Sequence, residues 1–525
     1  MSYPCDALLV GFEGQENLGL RYLASYLEFH GFRTLVLAFN KDRMQSIVDA
    51  AKVNQPSIIG FSIIFQVFTS DFAELGARLR LAGVVSHITV GGHFPSFCPR
   101  ETLEIIPAAD SVVRFEGEYT LLEMMRNLWN PAKWKNIPGL AYRNGTKIEV
   151  TPVRPLIDNL DVLPFPKRDE ARELTRGIQA ASLLASRGCF NDCVFCSIRQ
   201  FYGIPAGPLH RTRSADSVVN EMEDLYKKGG VRFFLFQDDD FLFRSTAQRA
   251  WIVRFLHELD VRGLSDKIAW KISCRVDDVD REAMRECGKR GLASVYLGVE
   301  SGNSDGLRTL NKNTTVEQNI AAIETLKLLD INYEFGFMLL DPGSTKGSVF
   351  ANLSFLEKIT SDGSSPIAFN KMLPFVGTPI YDQLRSEKRL EGSLQAPNYR
   401  FFDTRLDWFD LFLSLTFGHH NFEQDGLVNR LRQARLDLII MKRFFGDSRS
   451  DEYRASLWGL SSNINQYTLR TLREALDVCF EGDEDTIPSR WHKIDAVRDR
   501  FYSEEQNSAK QLDEILCRYS GPGFA

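Results

Sequence analysis

Three closely spaced cysteines are the residues of this chain best suited to carry chemistry. Cys189, Cys193 and Cys196 are separated by three and then two residues, and they follow the apolar run at 181–185. A closed zinc site or iron–sulfur cluster normally takes four protein ligands. A set of three thiolates therefore favours an iron centre that leaves one position open for a second molecule.

This spacing, with the strand-like run before it, resembles the radical S-adenosylmethionine (radical SAM) enzymes. In that family the three cysteines hold a 4Fe-4S cluster, and its fourth iron binds S-adenosylmethionine, which one electron cleaves to a 5'-deoxyadenosyl radical. The residues alone leave two alternatives open: a zinc site completed by a histidine such as His210, or a chance grouping. The other cysteines are Cys5, Cys98, Cys274, Cys287, Cys479 and Cys517. Their scattered positions indicate a reducing compartment and no disulfide framework.

Length and composition set wider limits on the protein. A chain of 525 residues predicts two or three domains, and 44% hydrophobic with 25% charged residues is typical of a soluble globular protein. The net charge of -6 argues against nucleic acid as a partner. We also find no apolar run of membrane-spanning length and no signal-peptide pattern at residues 1–6, so we expect a cytoplasmic protein with no membrane contact.

The first 150 residues alternate short apolar runs with amphipathic stretches. The predicted strands are 7–12, 34–39, 57–64, 87–90 and 111–114, and the predicted helices are 18–29, 43–51, 71–81 and 119–129. Buried strands that alternate with helices predict an α/β fold with a doubly wound parallel sheet, whose ligands bind at the carboxyl ends of the strands.

Those strand ends resemble the cobalamin-binding domain that precedes the barrel in one branch of radical SAM enzymes. The matching segments are 18–24, 91–95 and 114–118. The resemblance implies that cobalamin is bound by Gln15, Ser62, Gly91, Gly92, His93, Glu116 and Gly117. Any single glycine among them could instead serve a strand-to-helix turn. Because the chain lacks an Asp-x-His-x-x-Gly motif, we expect cobalamin to be bound without a protein histidine on cobalt.

A hairpin at 137–150 turns at Asn144 and Gly145 and leads into a proline-rich linker at 151–175. Strand and helix patterns then resume, with strands predicted at 181–186, 232–236, 268–273, 294–299, 332–339 and 367–372. Six such units fit the partial (β/α)6 barrel that the resemblance implies for 176–380. Beyond it, 381–525 is predicted to be a mostly helical C-terminal region.

Polar residues at the ends of the barrel strands are candidates for binding S-adenosylmethionine. The resemblance places Asp238 and Asp239 against its ammonium group, although one of the aspartates at 238–240 could instead cap a helix. Glu300 could accept the ribose hydroxyls. Arg275 could meet the carboxylate, or pair with Asp277 or Asp278. Gly336 lies in the segment that contacts adenine in the family.

These features predict a cobalamin-dependent radical SAM methyltransferase that acts on an unactivated carbon of a small molecule, such as a natural-product or secondary-metabolite precursor. The resemblance implies three cofactors, a 4Fe-4S cluster, S-adenosylmethionine and cobalamin, and an electron donor of the flavodoxin or ferredoxin type. Cyclisation or rearrangement with the same cofactors is the alternative. A tRNA methylthiotransferase is disfavoured because no basic RNA-binding module is visible. From another class, the chain could be a non-enzymatic cobalamin sensor with an iron–sulfur site.

Overall fold

The protein is described from a computed structural model, which covers residues 5–169, 172–242 and 245–519. Parts of four predicted segments lie outside the described residues: 1–4 of the N-terminal domain, 170–171 of the linker, 243–244 of the barrel and 520–525 of the C-terminal region. Within the described ranges, no helix combines the length and the apolar character needed to cross a membrane.

The bounds of the strands and helices are as follows. The strands are β1 Ala7–Gly11, β2 Thr34–Ala38, β3 Ile58–Ser62, β4 His87–Gly91, β5 Ser111–Val113, β6 Leu140–Asn144, β7 Lys147–Val150, β8 Arg172–Glu173, β9 Gln179–Leu183, β10 Ser186–Gly188, β11 His210–Thr212, β12 Val231–Phe236, β13 Ala269–Arg275, β14 Leu292–Glu300, β15 Asn332–Leu340, β16 Asn370–Lys371, β17 Leu390–Gly392 and β18 Pro397–Tyr399. The helices are α1 Leu18–Phe29, α2 Met44–Asn54, α3 Thr69–Leu81, α4 His93–Phe97, α5 Pro99–Ile105, α6 Glu118–Asn127, α7 Pro131–Trp134, α8 Ile198–Gly203, α9 Ala215–Gly229, α10 Thr246–Val261, α11 Arg281–Lys289, α12 Ser304–Thr309, α13 Val316–Leu328, α14 Lys346–Thr360, α15 Pro379–Ser386, α16 Arg405–Phe422, α17 Leu427–Ile440, α18 Ser450–Cys479 and α19 Ile487–Tyr519.

The first sheet has the strand order β2-β1-β3-β4-β5-β6-β7. Strands β1 to β5 pair in parallel, and the antiparallel hairpin β6–β7 extends one edge. Leu8 and Val10 of β1 pack in one core cluster with α2 and α3, whereas Ala7 and Leu9 pack in another with α1 and α6. Helices therefore cover both faces, which confirms the predicted doubly wound domain.

The second sheet is a curled half-barrel with the order β16-β15-β14-β13-β12-β9-β8. Strands β12 to β16 pair in parallel, and the short β8 pairs antiparallel with β9 at one edge. The fold class is confirmed. The predicted strand at 181–186 is wrong at its end, because β9 stops at Leu183 and residues from Ser186 pair with β11 in a separate hairpin.

Long helices make up the C-terminal region, as predicted. One of these helices is interrupted, because α17 ends at Ile440 and the π-helical turn Met441–Phe445 follows. Ile440 packs against Ala180, Phe233 and Ala269, which lie in β9, β12 and β13. Helix α17 therefore closes the amino ends of these barrel strands.

The described chain forms two compact units. The first comprises 5–169, 182–221 and 373–398, and the second comprises 172–181, 222–242, 245–372 and 399–519. The predicted cluster cysteines and cobalamin residues lie in the first unit, and the residues predicted to bind S-adenosylmethionine lie in the second. The domain boundaries at 150, 175 and 380 stay predictions.

Candidate active site

The three cluster cysteines lie on the loop between β10 and α8. Gly188, the last residue of β10, pairs with His210 of β11 and has φ of +92°. A Cβ atom at Gly188 would overlap the carbonyl oxygen of Leu209, so the two strands can approach this closely only with glycine at this position. The glycine therefore fixes the direction in which the chain enters the loop.

Within this loop, Cys193 is buried and Cys189 and Cys196 are partly exposed. The Cys196 amide donates to the carbonyl oxygen of Cys193 at 3.1 Å, and Asn191 Nδ2 donates to Cys189 Sγ at 3.4 Å. Among the described residues, no set of three or more His, Cys, Asp or Glu side chains is arranged to hold a single metal ion. Three soft thiol ligands on one short loop fit the iron atoms of an iron–sulfur cluster.

Two arginines that flank the loop pair with carboxylates that follow β5. Arg187 Nη1 lies 2.9 Å from Glu116 Oε1, and its Nη2 lies 2.7 Å from Glu118 Oε1. Arg211 Nη1 lies 2.9 Å from Glu116 Oε2, and the Ile157 amide donates to that oxygen at 2.7 Å. All four charged side chains are at most 10% exposed. These buried pairs tie the hairpin β10–β11 to the carboxyl edge of the first sheet.

The ion pairs decide the charge of Glu116. Burial alone would raise the pKa of Glu116, but Arg187 and Arg211 outweigh burial and lower it, so the carboxylate is charged at neutral pH. Both of its oxygens are thus engaged by neighbouring groups of the protein. A Cβ atom at Gly117 would lie 3.2 Å from side-chain atoms of Leu23 and Val113. Glu116 and Gly117 were both predicted to bind cobalamin, and both have a role in internal packing.

His93 also contacts the segment that follows the cysteines. Its ring stacks on Phe201 with 4.2 Å between the ring centroids, and its Nδ1 lies 3.1 Å from Ser197 Oγ. Burial lowers the pKa of His93 to about 4, so the imidazole is neutral at neutral pH. Its predicted place near the cobalamin ring stays a prediction.

The remaining predicted cobalamin residues lie at or just beyond the carboxyl ends of β1, β3 and β4. Gln15 is exposed, and Ser62 pairs with Gly91 where β3 and β4 end. Gly92 has φ of +113°, and a Cβ atom there would overlap the carbonyl oxygen of Ile63. The turn therefore requires Gly92 whether or not a ligand binds.

Large apolar side chains that were not predicted as site residues are exposed at this same edge. Phe12 follows β1 and is 36% exposed, and Ile64, Phe65 and Val67 follow β3 with 44–46% exposure. An exposed apolar surface at the ligand-binding edge of a parallel sheet fits a flat macrocycle such as cobalamin. In the sequence, this surface is indicated by apolar residues that continue past the ends of β1 and β3.

In the second unit, three aspartates follow β12. Asp238 and Asp240 are buried, and Asp239 is exposed. None of them caps the next helix, because the side chain of Ser245 caps α10. Burial and the nearby Asp278 raise the pKa of Asp240 well above its usual range, which favours the protonated form. Such shifts are concentrated at functional sites, so Asp240 joins the two predicted aspartates as a candidate.

Glu300 and Gly336 come together at the carboxyl ends of β14 and β15. Glu300 has φ of +64°, in the left-handed region, and the pairing register shifts between Gly298 and Glu300. A Cβ atom at Gly336 would lie 3.3 Å from Glu300 Oε2, and Lys312 Nζ lies 3.3 Å from Glu300 Oε1. Strained backbone of this kind is concentrated at ligand-binding and catalytic positions. The role predicted for Glu300 in binding the ribose hydroxyls stays a prediction.

Arg275 is held beside this group. Its Nε lies 2.9 Å from Asp277 Oδ1, and its Nη2 donates to the carbonyl oxygen of Lys312 at 2.5 Å. Asp277, one of the two partners considered from the sequence, thus pairs with Arg275. Lys312 links Arg275 to Glu300, and the Arg275 backbone hydrogen-bonds to the side chain of Asp240. Four polar groups therefore converge where these strands end.

Comparisons with known proteins identify two domains in this chain. The model of the B12 binding domain matches residues 11–124, and that of the Radical SAM superfamily matches 183–356. An uncharacterized methyltransferase of Pyrococcus horikoshii is 28% identical over 70% of this chain and 77% of its own length. The anaerobic magnesium-protoporphyrin IX monomethyl ester cyclase of Cereibacter sphaeroides is 31% identical over 69% of this chain, which spans 58% of that relative. The cobalamin-dependent S-adenosylmethionine radical enzyme OxsB shares the fold, with a TM-score of 0.67 and 17% identity over 98% of this chain and 80% of OxsB.

The matched ranges contain the features described above. The cysteine loop lies inside the radical SAM match, and the exposed apolar edge of the first sheet lies inside the B12-binding match. The cofactors are accordingly a 4Fe-4S cluster, S-adenosylmethionine and cobalamin. With a B12-binding domain followed by a radical SAM domain, the chain belongs to the cobalamin-dependent radical SAM enzymes.

Proposed function

We propose that this enzyme transfers a methyl group from S-adenosylmethionine, by way of cobalamin, to an unactivated carbon of a small molecule. The observation that carries the proposal is the buried linkage from Glu116 to Arg187 and Arg211. It fastens the base of the cysteine loop to the B12-binding sheet within one unit. Transfer between two cofactors requires such fixed placement. The name of the relative in P. horikoshii, a methyltransferase, supports this choice.

The chain itself supplies placement and charge. Cys189, Cys193 and Cys196 would hold the cluster, and Asp238 and Asp239 would accept hydrogen bonds from the ammonium group of S-adenosylmethionine. Glu300 would accept the two ribose hydroxyls, and Gly336 would leave room for adenine. When bound, the cluster supplies radical chemistry and cobalamin carries the methyl group. The electron would come from a protein of the flavodoxin or ferredoxin type.

Cyclisation or rearrangement is the second candidate. The relative in C. sphaeroides, which is 31% identical, is named a cyclase. Both candidates use the same cofactors, and they differ in the fate of the methyl group. Methyl transfer converts S-adenosylmethionine to S-adenosylhomocysteine and adds one methyl group to the product, whereas a cyclase forms 5'-deoxyadenosine without S-adenosylhomocysteine.

The products of S-adenosylmethionine separate these candidates. The full-length protein is reconstituted anaerobically with iron, sulfide and cobalamin, and its products are measured by mass spectrometry after a one-electron reductant is added. Formation of both 5'-deoxyadenosine and S-adenosylhomocysteine, the latter only with cobalamin, supports methyl transfer. Formation of 5'-deoxyadenosine alone supports the cyclase, and absence of both contradicts both candidates.

A further inference from the structure

One face of the second sheet carries a row of polar, partly exposed side chains. Side chains along β13, β14 and β15 alternate between buried and half-buried positions. Ser273 pairs with Tyr296, and Tyr296 pairs with Glu334, so these half-buried residues stand side by side. Lys271 Nζ lies 3.1 Å from Glu334 Oε2, and the two side chains are 28% and 18% exposed. Solvent therefore reaches this row.

Helix α17 brings two arginines to the same region. Arg432 and Arg435 are three residues apart and thus lie on one side of the helix. Arg435 is 4% exposed, and its Nε and Nη2 donate to Asn332 Oδ1 at 3.1 and 2.6 Å. Arg432 Nη1 donates to Asn429 Oδ1 at 3.3 Å. Within the part of the chain that the structure describes, Arg432 Nε and Arg435 Nη1 are buried without an acceptor.

The charges around Glu334, from the strand residue Lys271 and from Arg432 and Arg435 of α17, do not balance. Burial would raise the pKa of Glu334, but Lys271, Arg432 and Arg435 lower it, so it is ionised at neutral pH. Burial raises the pKa of Tyr296 to about 12, so its hydroxyl is a neutral donor. Three cations thus surround Glu334, and Glu300, a second carboxylate near Tyr296, is paired with Lys312 at 3.3 Å. Among residues 5–169, 172–242 and 245–519, no carboxylate oxygen lies within 4.0 Å of a side-chain nitrogen of Arg432 or Arg435.

The next acidic group does not correct the imbalance. Asp362 acts on Arg435 together with Tyr333, yet burial still lowers the pKa of Arg435 to about 10. Asp362 is already paired with Lys327 at 2.7 Å. A buried cation without a counter-ion is costly, and a bound anion that accepts from its spare N–H groups removes that cost.

We propose that Lys271, Arg432 and Arg435 form a binding site for an anionic group of the substrate, a carboxylate or a phosphate. Tyr296 donates a further hydrogen bond, and Glu334 keeps Lys271 in place. The inference rests on the proposed function in one respect: the bound acid is the small molecule that the enzyme modifies. It narrows the substrate class to organic acids and phosphate esters.

Calorimetric titration of the reconstituted full-length protein with inorganic phosphate and with acetate tests this site, with no reductant and at ionic strength held constant with chloride. Arg432→Gln is expected to weaken anion binding at least tenfold, because it removes one of the two cations that α17 places near Glu334. Arg430→Gln is the matched control, since Arg430 lies on the same helix and pairs with Asp513 at the surface. This control should bind as the unmodified protein does.

Each outcome decides the proposal. Tighter binding of phosphate supports a phosphate ester as substrate, and tighter binding of acetate supports an organic acid. Equal binding by the Arg432→Gln variant and the unmodified protein, or no binding by the latter, would overturn the site. Lys271→Gln gives the same comparison if Arg432→Gln does not fold. The titration involves no turnover, so it can be interpreted even if the enzyme does not transfer methyl groups.

Discussion

Replacement of Glu116 by glutamine is expected to loosen the hairpin that carries the cluster cysteines. Glu116 accepts hydrogen bonds from Arg187 at 2.9 Å, from Arg211 at 3.0 and 2.9 Å, and from the Ile157 amide at 2.7 Å. Glutamine keeps one acceptor oxygen and removes the charge. Arg187 retains Glu118 as a partner, whereas Arg211, 3% exposed in its side chain, has no other carboxylate partner among the described residues.

The magnitude follows from this burial. Removal of one partner of a buried ion pair costs about 3–5 kcal/mol, and the hydrogen bond that glutamine retains offsets about 1 kcal/mol. The hairpin should therefore lose about 2–4 kcal/mol of local stability, which corresponds to hydrogen exchange that is faster by roughly 30-fold to 700-fold.

Hydrogen exchange of the full-length protein without cofactors, read by mass spectrometry over residues 186–212, measures this effect. Glu74→Gln is the control, because the Glu74–Arg78 pair is 45% and 47% exposed and should contribute at most about 0.5 kcal/mol. Unchanged exchange of this segment in Glu116→Gln would refute the reasoning. An equal change in Glu74→Gln would show that the effect is not local.

Three further predictions concern the same unit. Cys189→Ala should abolish the cluster absorbance and 5'-deoxyadenosine formation because a cluster ligand is lost. Cys517→Ala, at an exposed cysteine, is the control and should keep the absorbance and the product. A Cys189→Ala variant that keeps the absorbance and the product contradicts the assignment of Cys189 as a cluster ligand. Because the pKa of His93 is lowered from 6.5 to about 4, its contribution to stability is complete above pH 6.5 and is lost as the pH falls towards 4, by at most about 3 kcal/mol. Urea unfolding should show a flatter pH profile for His93→Gln over that range, and parallel profiles would contradict it. Gly92→Ala should lower the midpoint temperature of thermal unfolding, since the added methyl group overlaps a carbonyl oxygen and strained φ costs about 1–3 kcal/mol. Gly14→Ala is the control, because its added methyl group meets no atom within 4 Å. Equal midpoints for the two variants would refute this prediction.

The sequence predicted the elements whose apolar periodicity is regular. All five parallel strands of the first sheet lie within two residues of their predicted ends, and α1 begins and ends at the predicted residues 18 and 29. The hairpin was also predicted, because Asn-Gly favours a two-residue loop, but the loop lies one residue later than predicted, at Gly145 and Thr146, since Asn144 pairs with Lys147. Helices α4 and α5 were missed, since five and seven residues are too few to show a helical period.

The site could be predicted only in part, because long-range pairing is not visible in local patterns. Glu116 was selected for its place after a strand, but its partner Arg211 lies 95 residues further along the chain. Likewise, the polar row of Ser273, Tyr296 and Glu334 depends on the register of three strands. Which charged groups have a partner of opposite charge is visible only in the folded structure, where distant segments of the chain lie close together.

Methyl transfer by way of cobalamin is tested most directly by following the methyl group itself. The reconstituted protein, with cobalamin in its reduced form, is incubated with S-adenosylmethionine that carries a deuterated methyl group. The cobalamin is then extracted, and its mass is measured by mass spectrometry. If methyl transfer proceeds by way of cobalamin, the extracted cobalamin carries the deuterated methyl group and an equal amount of S-adenosylhomocysteine forms. Unlabelled cobalamin from protein that still forms 5'-deoxyadenosine would contradict methyl transfer and favour cyclisation or rearrangement.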